Sequence, residues 1–142
     1  MSARLVNEKI ETFRLLDEVA SGDRGATAIF VGTVRNQNDG RPVSAIEYSA
    51  YDAMAESEML AIINEAAERF DSPHVVVEHR LGLLQIGDAS IVIAAAHERR
   101  AQAMGAMQYV IEEFKLRVPI WKLEHYEDGS RVWIDPTRGR AA

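Results

Sequence analysis

The sequence predicts an α+β fold with a largely antiparallel sheet and three main helices. Three segments repeat apolar residues every three or four positions, as helices do, and the segments around them alternate or are rich in β-branched residues, as strands do. Asp-Gly turns suited to hairpins accompany the extended segments. With 142 residues, 47% of them apolar, the chain can bury a sizeable core. We expect one domain over residues 1–136 and a flexible tail over 137–142.

The first fifty residues are predicted to form three strands and one helix. A short strand over Arg4–Ile10 leads into a helix over Glu11–Ala20, which carries an apolar stripe at spacings of three and four. The run Gly25–Arg35 is rich in β-branched residues, which is typical of a buried strand. Asn36–Pro42 is predicted as a turn or mobile loop, and Val43–Tyr51 alternates as a strand with one apolar face.

The middle of the chain is predicted as a long helix followed by two strands. The helix covers Asp52–Phe70, with glutamates on its outer side. Its inward face is predicted to consist of Ala55, Met59, Ile62, Ile63, Ala66 and Phe70. His74–Leu84 and Ala89–Ala96 are the strands, joined around Gly87 and Asp88.

The last third is predicted as a third helix and a hairpin. The helix covers Glu98–Leu116, and Pro119 disfavours its continuation. Its inward face is predicted to consist of Ala101, Met104, Met107, Ile111 and Phe114. An extended segment over Ile120–Tyr126 then returns through an Asp-Gly turn to Ser130–Ile134.

Composition excludes several function classes. The chain has no cysteine, so disulfides, thiolate metal sites and a cysteine nucleophile are excluded, and a reducing, cytoplasmic location is expected. A formal net charge of −6 argues against nonspecific nucleic-acid binding. No stretch is apolar enough for a membrane helix. The four histidines share no metal-ligand spacing, so neither a metal nor a cofactor is expected.

A cluster of cations suggests a site for a small anion. Arg99 and Arg100 open the third helix, where a bound phosphate would relieve their unfavourable position. This favours a phosphate site over the alternative that they are plain surface residues. Lys115 and Lys122 lie on either side of Pro119, and a turn there would bring their ammonium groups together, where each would depress the pKa of the other. The alternative is that Lys115 only complements the dipole at the C-terminus of the helix. Glu124 shares a strand face with Lys122, either to orient it or as a solvated pair.

Three blocks of sequence resemble a known family. GATAIFVGTVRNQNDGRPVSAIEYSAYDAMA, EHRLGLLQIGD and FKLRVPIWKLE together resemble the large, catalytic subunit of molybdopterin synthase over Gly25–Trp133. The resemblance implies an α/β-hammerhead fold and a homodimer that binds two small ubiquitin-like subunits ending in Gly-Gly. Sulfur passes from the thiocarboxylate of that tail to cyclic pyranopterin monophosphate, an anionic pterin, and builds the dithiolene of molybdopterin. The absence of cysteine agrees, because the sulfur arrives on the partner.

The resemblance also assigns residues. It implies catalytic roles for Lys115 and Lys122, with Lys115 the first choice. Substrate contacts are implied for Thr33, Val34, Arg35, Arg99, Arg100, Leu123 and Glu124, and Phe30 and Met107 are expected to shape the pocket.

This chain departs from the family pattern at one position. The family has an adjacent His-Arg pair at the start of the third helix, which falls here on Arg99 and Arg100, with His97 as a possible substitute. The alternatives are a catalytically silent scaffold and a small-anion or pterin-binding module of the same fold.

Overall fold

The computed structural model describes residues 1–135, and the predicted tail over 137–142 lies outside them. Three helices and nine strands form within this part of the chain. The helices are α1 (Thr12–Val19), α2 (Asp52–Arg69) and α3 (Arg100–Arg117). The strands are β1 (Ser2–Val6), β2 (Ala26–Thr33), β3 (Gln37–Asn38), β4 (Arg41–Ala50), β5 (His74–Arg80), β6 (Gly82–Gln85), β7 (Ala89–His97), β8 (Ile120–Tyr126) and β9 (Arg131–Ile134).

The strands form two sheets. The first has the order β1-β5-β7-β2, in which only β1 and β5 are parallel. The second has the order β3-β4-β8-β9, with β6 also paired to β4, and is antiparallel throughout. The predicted α+β fold with three helices and a largely antiparallel sheet is therefore confirmed. No helix in residues 1–135 is long and apolar enough to cross a membrane.

One predicted strand is in fact two. The segment predicted as a single strand over His74–Leu84 breaks at Gly82, whose φ of +97° is a left-handed conformation that suits glycine. Just before the break, the Leu81 N–H donates to the Val6 carbonyl at 2.8 Å. The chain thereby leaves the first sheet and β6 joins β4 in the second.

The N-terminal strands also differ from expectation. β1 ends at Val6, and Ile10 instead packs in the core beside α1. β2 is an edge strand of the first sheet and only partly buried, so its prediction as a buried strand is wrong. The predicted turn or loop after it contains a tight hairpin, because Asp39 (φ 50°) and Gly40 (φ 79°) both take the left-handed conformation that a two-residue turn requires.

The main core lies between the first sheet and helices α2 and α3. The predicted inward face of α2 is confirmed: all its members are buried except Phe70, which is half-buried. The face predicted for α3 is only partly right. Phe114 is buried and Met107 and Ile111 pack against the core, but Ala101 and Met104 are exposed. The buried residues of α3 are Ala103, Ala106, Val110 and Phe114. Apolar residues occur on more than one side of α3, so periodicity alone did not identify the side that packs.

The second sheet has its own small core, and a β-bulge shapes it. Strict alternation would place Val43 and Ile46 of β4 on opposite faces. A shift in the pairing register between Val43 and Ala45 brings Val43 into the same cluster as Ile46 and Tyr126. The bulge lies beside a cavity that Val43 lines together with Lys115 and Lys122.

Candidate functional site

Lys115 and Lys122 line a single cavity between the two sheets. Lys115 lies in the last turn of α3, which ends at Arg117 because Val118 is extended ahead of Pro119. The chain then enters β8, and this strand carries Lys122 back to the same cavity. Tyr48, His79 and Phe114 are among the other residues that line this part.

Lys122 is held by a buried carboxylate. Its Nζ lies 2.8 Å from Glu124 Oε1, and the Glu124 side chain is 1% exposed. The opposite carboxylate oxygen accepts from the Tyr126 hydroxyl at 2.5 Å and from Asn38 Nδ2 at 2.8 Å. Lys122 and Glu124 are therefore not a solvated surface pair.

The charge of Glu124 is set by two opposed effects. Burial raises the pKa of Glu124, but the hydrogen bonds from Lys122, Tyr126 and Asn38 and the Lys122 charge outweigh it and hold that pKa below its usual value. The hydrogen bond to Glu124 also raises the pKa of Tyr126, so the phenol remains a donor. The site thus contains an ionised carboxylate against an ammonium group.

A buried histidine forms part of the cavity wall. His79 is 4% exposed, stacks on Phe114 with ring centroids 5.6 Å apart, and meets Tyr48 edge-on at 4.9 Å. The pKa of His79 is lowered to about 3, mainly by burial. The bond to the Arg80 carbonyl opposes this shift, and the nearby Lys115 charge adds to it. Because a carbonyl only accepts, Nδ1 carries the proton of the neutral ring, 2.8 Å from the Arg80 oxygen.

His79 was not identified from the sequence, because the histidines were weighed only as metal ligands and His97 as a substitute for the family histidine. The signal that could have found it is strand alternation, which places His79 on the same face as Val75 and Val77. Among residues 1–135 no group of three or more potential ligands could hold a metal ion.

The cavity extends beneath the start of the β3–β4 hairpin. Thr33 and Arg35 line this part, as does Phe30, with Gly32 between them. Three other residues predicted for the site do not line the cavity. Val34 is buried and its N–H donates to the Asp88 carbonyl at 3.0 Å. Leu123 points to the face of β8 opposite Lys122 and Glu124. Met107 packs against the main core.

Arg99 and Arg100 lie far from the lysines. They line a separate cavity at the start of α3, fifteen positions from Lys115 at the closest, which corresponds to about 22 Å of helix. The expectation that all four cations form one anion site is therefore wrong within a single chain. The predicted helix itself implied this separation, since Arg99 and Arg100 open it and Lys115 lies near its end.

His97 has a structural role at that same end. Its Nδ1 accepts from the Arg99 N–H at 2.9 Å, and its Nε2 donates to the Asp71 carbonyl at 3.0 Å. Both ring nitrogens are therefore engaged in holding the start of α3 against the turn after α2. Within one copy of the chain His97 therefore lies beside Arg99 at the start of α3 and does not line the cavity of Lys115.

Comparisons with known proteins agree on one family. A family profile described as MoaE protein matches residues 5–117. The chain is 39% identical over 130 residues to the molybdopterin synthase catalytic subunit of Bos taurus, covering 92% of this chain and 69% of that protein. It is 40% identical to the corresponding subunit of Taeniopygia guttata, covering 88% and 81%. A crystal structure of molybdopterin synthase from Staphylococcus aureus superposes with a TM-score of 0.88 at 35% identity, covering 92% and 95%.

Proposed function

The chain belongs to the MoaE protein family of molybdopterin synthase catalytic subunits, and from this premise we propose that Lys115 and Lys122 catalyse its sulfur transfer. The reaction moves sulfur from the C-terminal thiocarboxylate of a small ubiquitin-like subunit to cyclic pyranopterin monophosphate. Two transfers form the dithiolene of molybdopterin. The observation that carries the proposal is the shared cavity of the two lysines, in which a buried carboxylate fixes one of them.

Lys122 is assigned to electrostatic stabilisation. When sulfur leaves the carbonyl carbon of the partner's tail, a water oxygen replaces it and negative charge develops on the carbonyl oxygen. An ammonium group that is already fixed stabilises this charge without reorganising. The 2.8 Å contact with Glu124, a side chain only 1% exposed, supports this assignment for Lys122.

Lys115 is assigned to the reacting groups themselves. It lines the same cavity as Lys122, at the end of α3 and near the neutral His79. From there it polarises the thiocarboxylate carbonyl or passes a proton to the leaving sulfur. Thr33 and Arg35 line the same cavity, and Arg35 supplies a further cation for the anionic pterin.

Arg99 and Arg100 require a second copy of the chain if they hold the substrate. About 22 Å of helix separates them from Lys115 in one copy. A homodimer that brings the start of one α3 to the lysine cavity of its partner supplies them from outside. The exposed edge of β2 supports self-association, because an edge strand offers unpaired backbone groups.

The proposed location is the cytoplasm. The absence of cysteine means that folding needs no disulfide and that the chain supplies no thiol of its own. Sulfur then enters only as the thiocarboxylate of the partner.

Reconstitution tests the proposed activity. The purified chain is mixed with thiocarboxylated small subunit and cyclic pyranopterin monophosphate, and the dithiolene product is followed by mass spectrometry. Lys9→Ala is the matched control, because Lys9 is exposed and is the one lysine of the chain besides Lys115 and Lys122. We expect product from the wild type and Lys9→Ala and none from Lys115→Ala. Partner binding without product from the wild type would instead indicate a silent scaffold.

Mixing two inactive variants tests the role of the arginines. In a dimer formed from Lys115→Ala and the double variant Arg99→Ala/Arg100→Ala, one of the two sites keeps all its residues if the arginines act across the interface. Random exchange then restores about a quarter of wild-type activity. No recovery, with mixed dimers present, would contradict a contribution from the second copy.

A further inference from the structure

Glu124 has two donors that the assignment of Lys122 does not use. Its Oε1 faces Lys122, whereas its Oε2 accepts from the Tyr126 hydroxyl at 2.5 Å and from Asn38 Nδ2 at 2.8 Å. Three contacts on two oxygens fix both the place and the rotation of the carboxylate. Asn38 comes from the β3–β4 hairpin and Tyr126 from the end of β8, so two different elements converge on one buried group.

The two donors are themselves held in place. The Arg41 guanidinium carbon lies 3.7 Å from the centre of the Tyr126 ring. The same guanidinium donates to the Ser130 hydroxyl at 2.7 Å and to Asp128 at 3.3 Å, which joins the hairpin to the β8–β9 turn. Tyr126 therefore has its ring fixed by Arg41 and its hydroxyl fixed by Glu124.

We propose that Asn38 and Tyr126 are positioning residues of the sulfur-transfer site, which act by fixing Glu124 so that the Lys122 ammonium occupies one position in the cavity. This inference rests on the proposed function and deepens it. A carboxylate held only by Lys122 would be free to rotate, and the ammonium would move with it. A displacement of about 1 Å at a reacting group costs as much as 100-fold in rate.

The charged surroundings define the expected pH dependence. The titratable groups that face Glu124 or line its cavity come from several elements. They are Lys122 and Tyr126 on β8, Tyr48 on β4, His79 on β5, Lys115 on α3 and Arg35 after β2, with Arg41 behind the Tyr126 ring. Removing the hydroxyl of Tyr126 removes a bond that favours the ionised carboxyl, while burial continues to oppose ionisation. Glu124 then takes up a proton at higher pH, and Lys122 loses its anionic partner.

Tyr126→Phe and Asn38→Ala test the inference in the assembled enzyme. Tyr126→Phe keeps the ring under Arg41 and removes only the hydroxyl. Tyr109→Phe is the matched control, since it removes a Tyr–Glu hydrogen bond of 2.6 Å to Glu65 on the α2–α3 surface. We expect both test variants to lower kcat roughly 10-fold with KM for the pterin unchanged, and to move the acid limb of the pH–rate profile to higher pH. The control Tyr109→Phe should leave both kcat and the pH–rate profile unchanged.

A second measurement keeps the inference separate from the proposed activity. The Glu124 carboxyl is titrated by carbon NMR in the wild type and both variants. A pKa for Glu124 that rises in Tyr126→Phe and Asn38→Ala supports positioning even if the wild type makes no product. Wild-type kcat and pH profile in both variants, or an unchanged Glu124 titration, would overturn it.

Discussion

Replacing Lys122 with alanine is expected to cost stability as well as activity. The substitution removes the cation 2.8 Å from Glu124 and leaves a carboxylate of 1% exposure with only the Tyr126 and Asn38 donors. Breaking a buried ion pair from one side typically costs about 3–5 kcal/mol. The Lys122 side chain is 25% exposed, so water enters the vacated space, and we expect about 2–3 kcal/mol.

This cost should be visible in thermal unfolding. A change of 1 kcal/mol shifts the Tm of a domain near this size by about 4 °C, so Lys122→Ala should unfold about 10 °C below the wild type. Lys9→Ala, at an exposed position, should unfold with the wild type. The double variant Lys122→Ala/Glu124→Gln removes the orphaned charge and should regain most of the Tm while remaining inactive.

The same argument gives the sign of the pH dependence. Burial raises the pKa of Glu124, but its hydrogen bonds and the Lys122 charge lower that pKa by more, so the folded-state pKa is below the unfolded one. The ionised carboxyl therefore stabilises the wild type at any pH above the pKa of the unfolded state. That contribution is lost as the pH falls through the folded pKa. The deficit of Lys122→Ala should therefore be largest near neutral pH and shrink in acid. An unchanged Tm at neutral pH would refute the reasoning, as would a double variant no more stable than the single one.

Three further predictions follow from other contacts. Lys115→Ala should abolish product in the reconstitution while calorimetry shows nearly unchanged affinity for the small subunit; parallel loss of folding would contradict this. Gly105→Ala should be destabilised by roughly 1 kcal/mol in denaturant unfolding, because a Cβ there would lie 2.5 Å from the Phe70 ring. The cost of this overpacking outweighs the gain in helix propensity of about 1 kcal/mol. A more stable variant would refute this prediction. The neutral ring of His79, with its pKa lowered to about 3, should make the wild type lose on the order of 4 kcal/mol as the pH falls from 6.5 to 3, and His79→Asn should show a shallower fall.

Some features were predictable because their pattern is local. The buried face of α2 follows from its sequence, since glutamates occupy much of the other side of the helix. The common face of Lys122 and Glu124 follows from strand alternation on β8. The meeting of Lys115 and Lys122 was expected from the proline between them and from the family resemblance, and the structure places both in one cavity.

Other features depend on partners that are distant in sequence. The buried face of α3 is set by Phe70 and the first sheet, because α3 is apolar on more than one side. The break at Gly82 is accompanied by a hydrogen bond from the Leu81 N–H to the carbonyl of Val6, a residue near the start of the sequence.

The site divides in the same way. The charged residues, and the strand or helix that holds each of them, could be identified from the sequence. The folded chain was needed to show that Asn38 reaches Glu124 across 86 positions and that Arg41 lies over the Tyr126 ring. The physical reason is that a hydrogen bond acts over about 3 Å in space, whereas the spacing of residues along a chain fixes their distance only within one helix or strand.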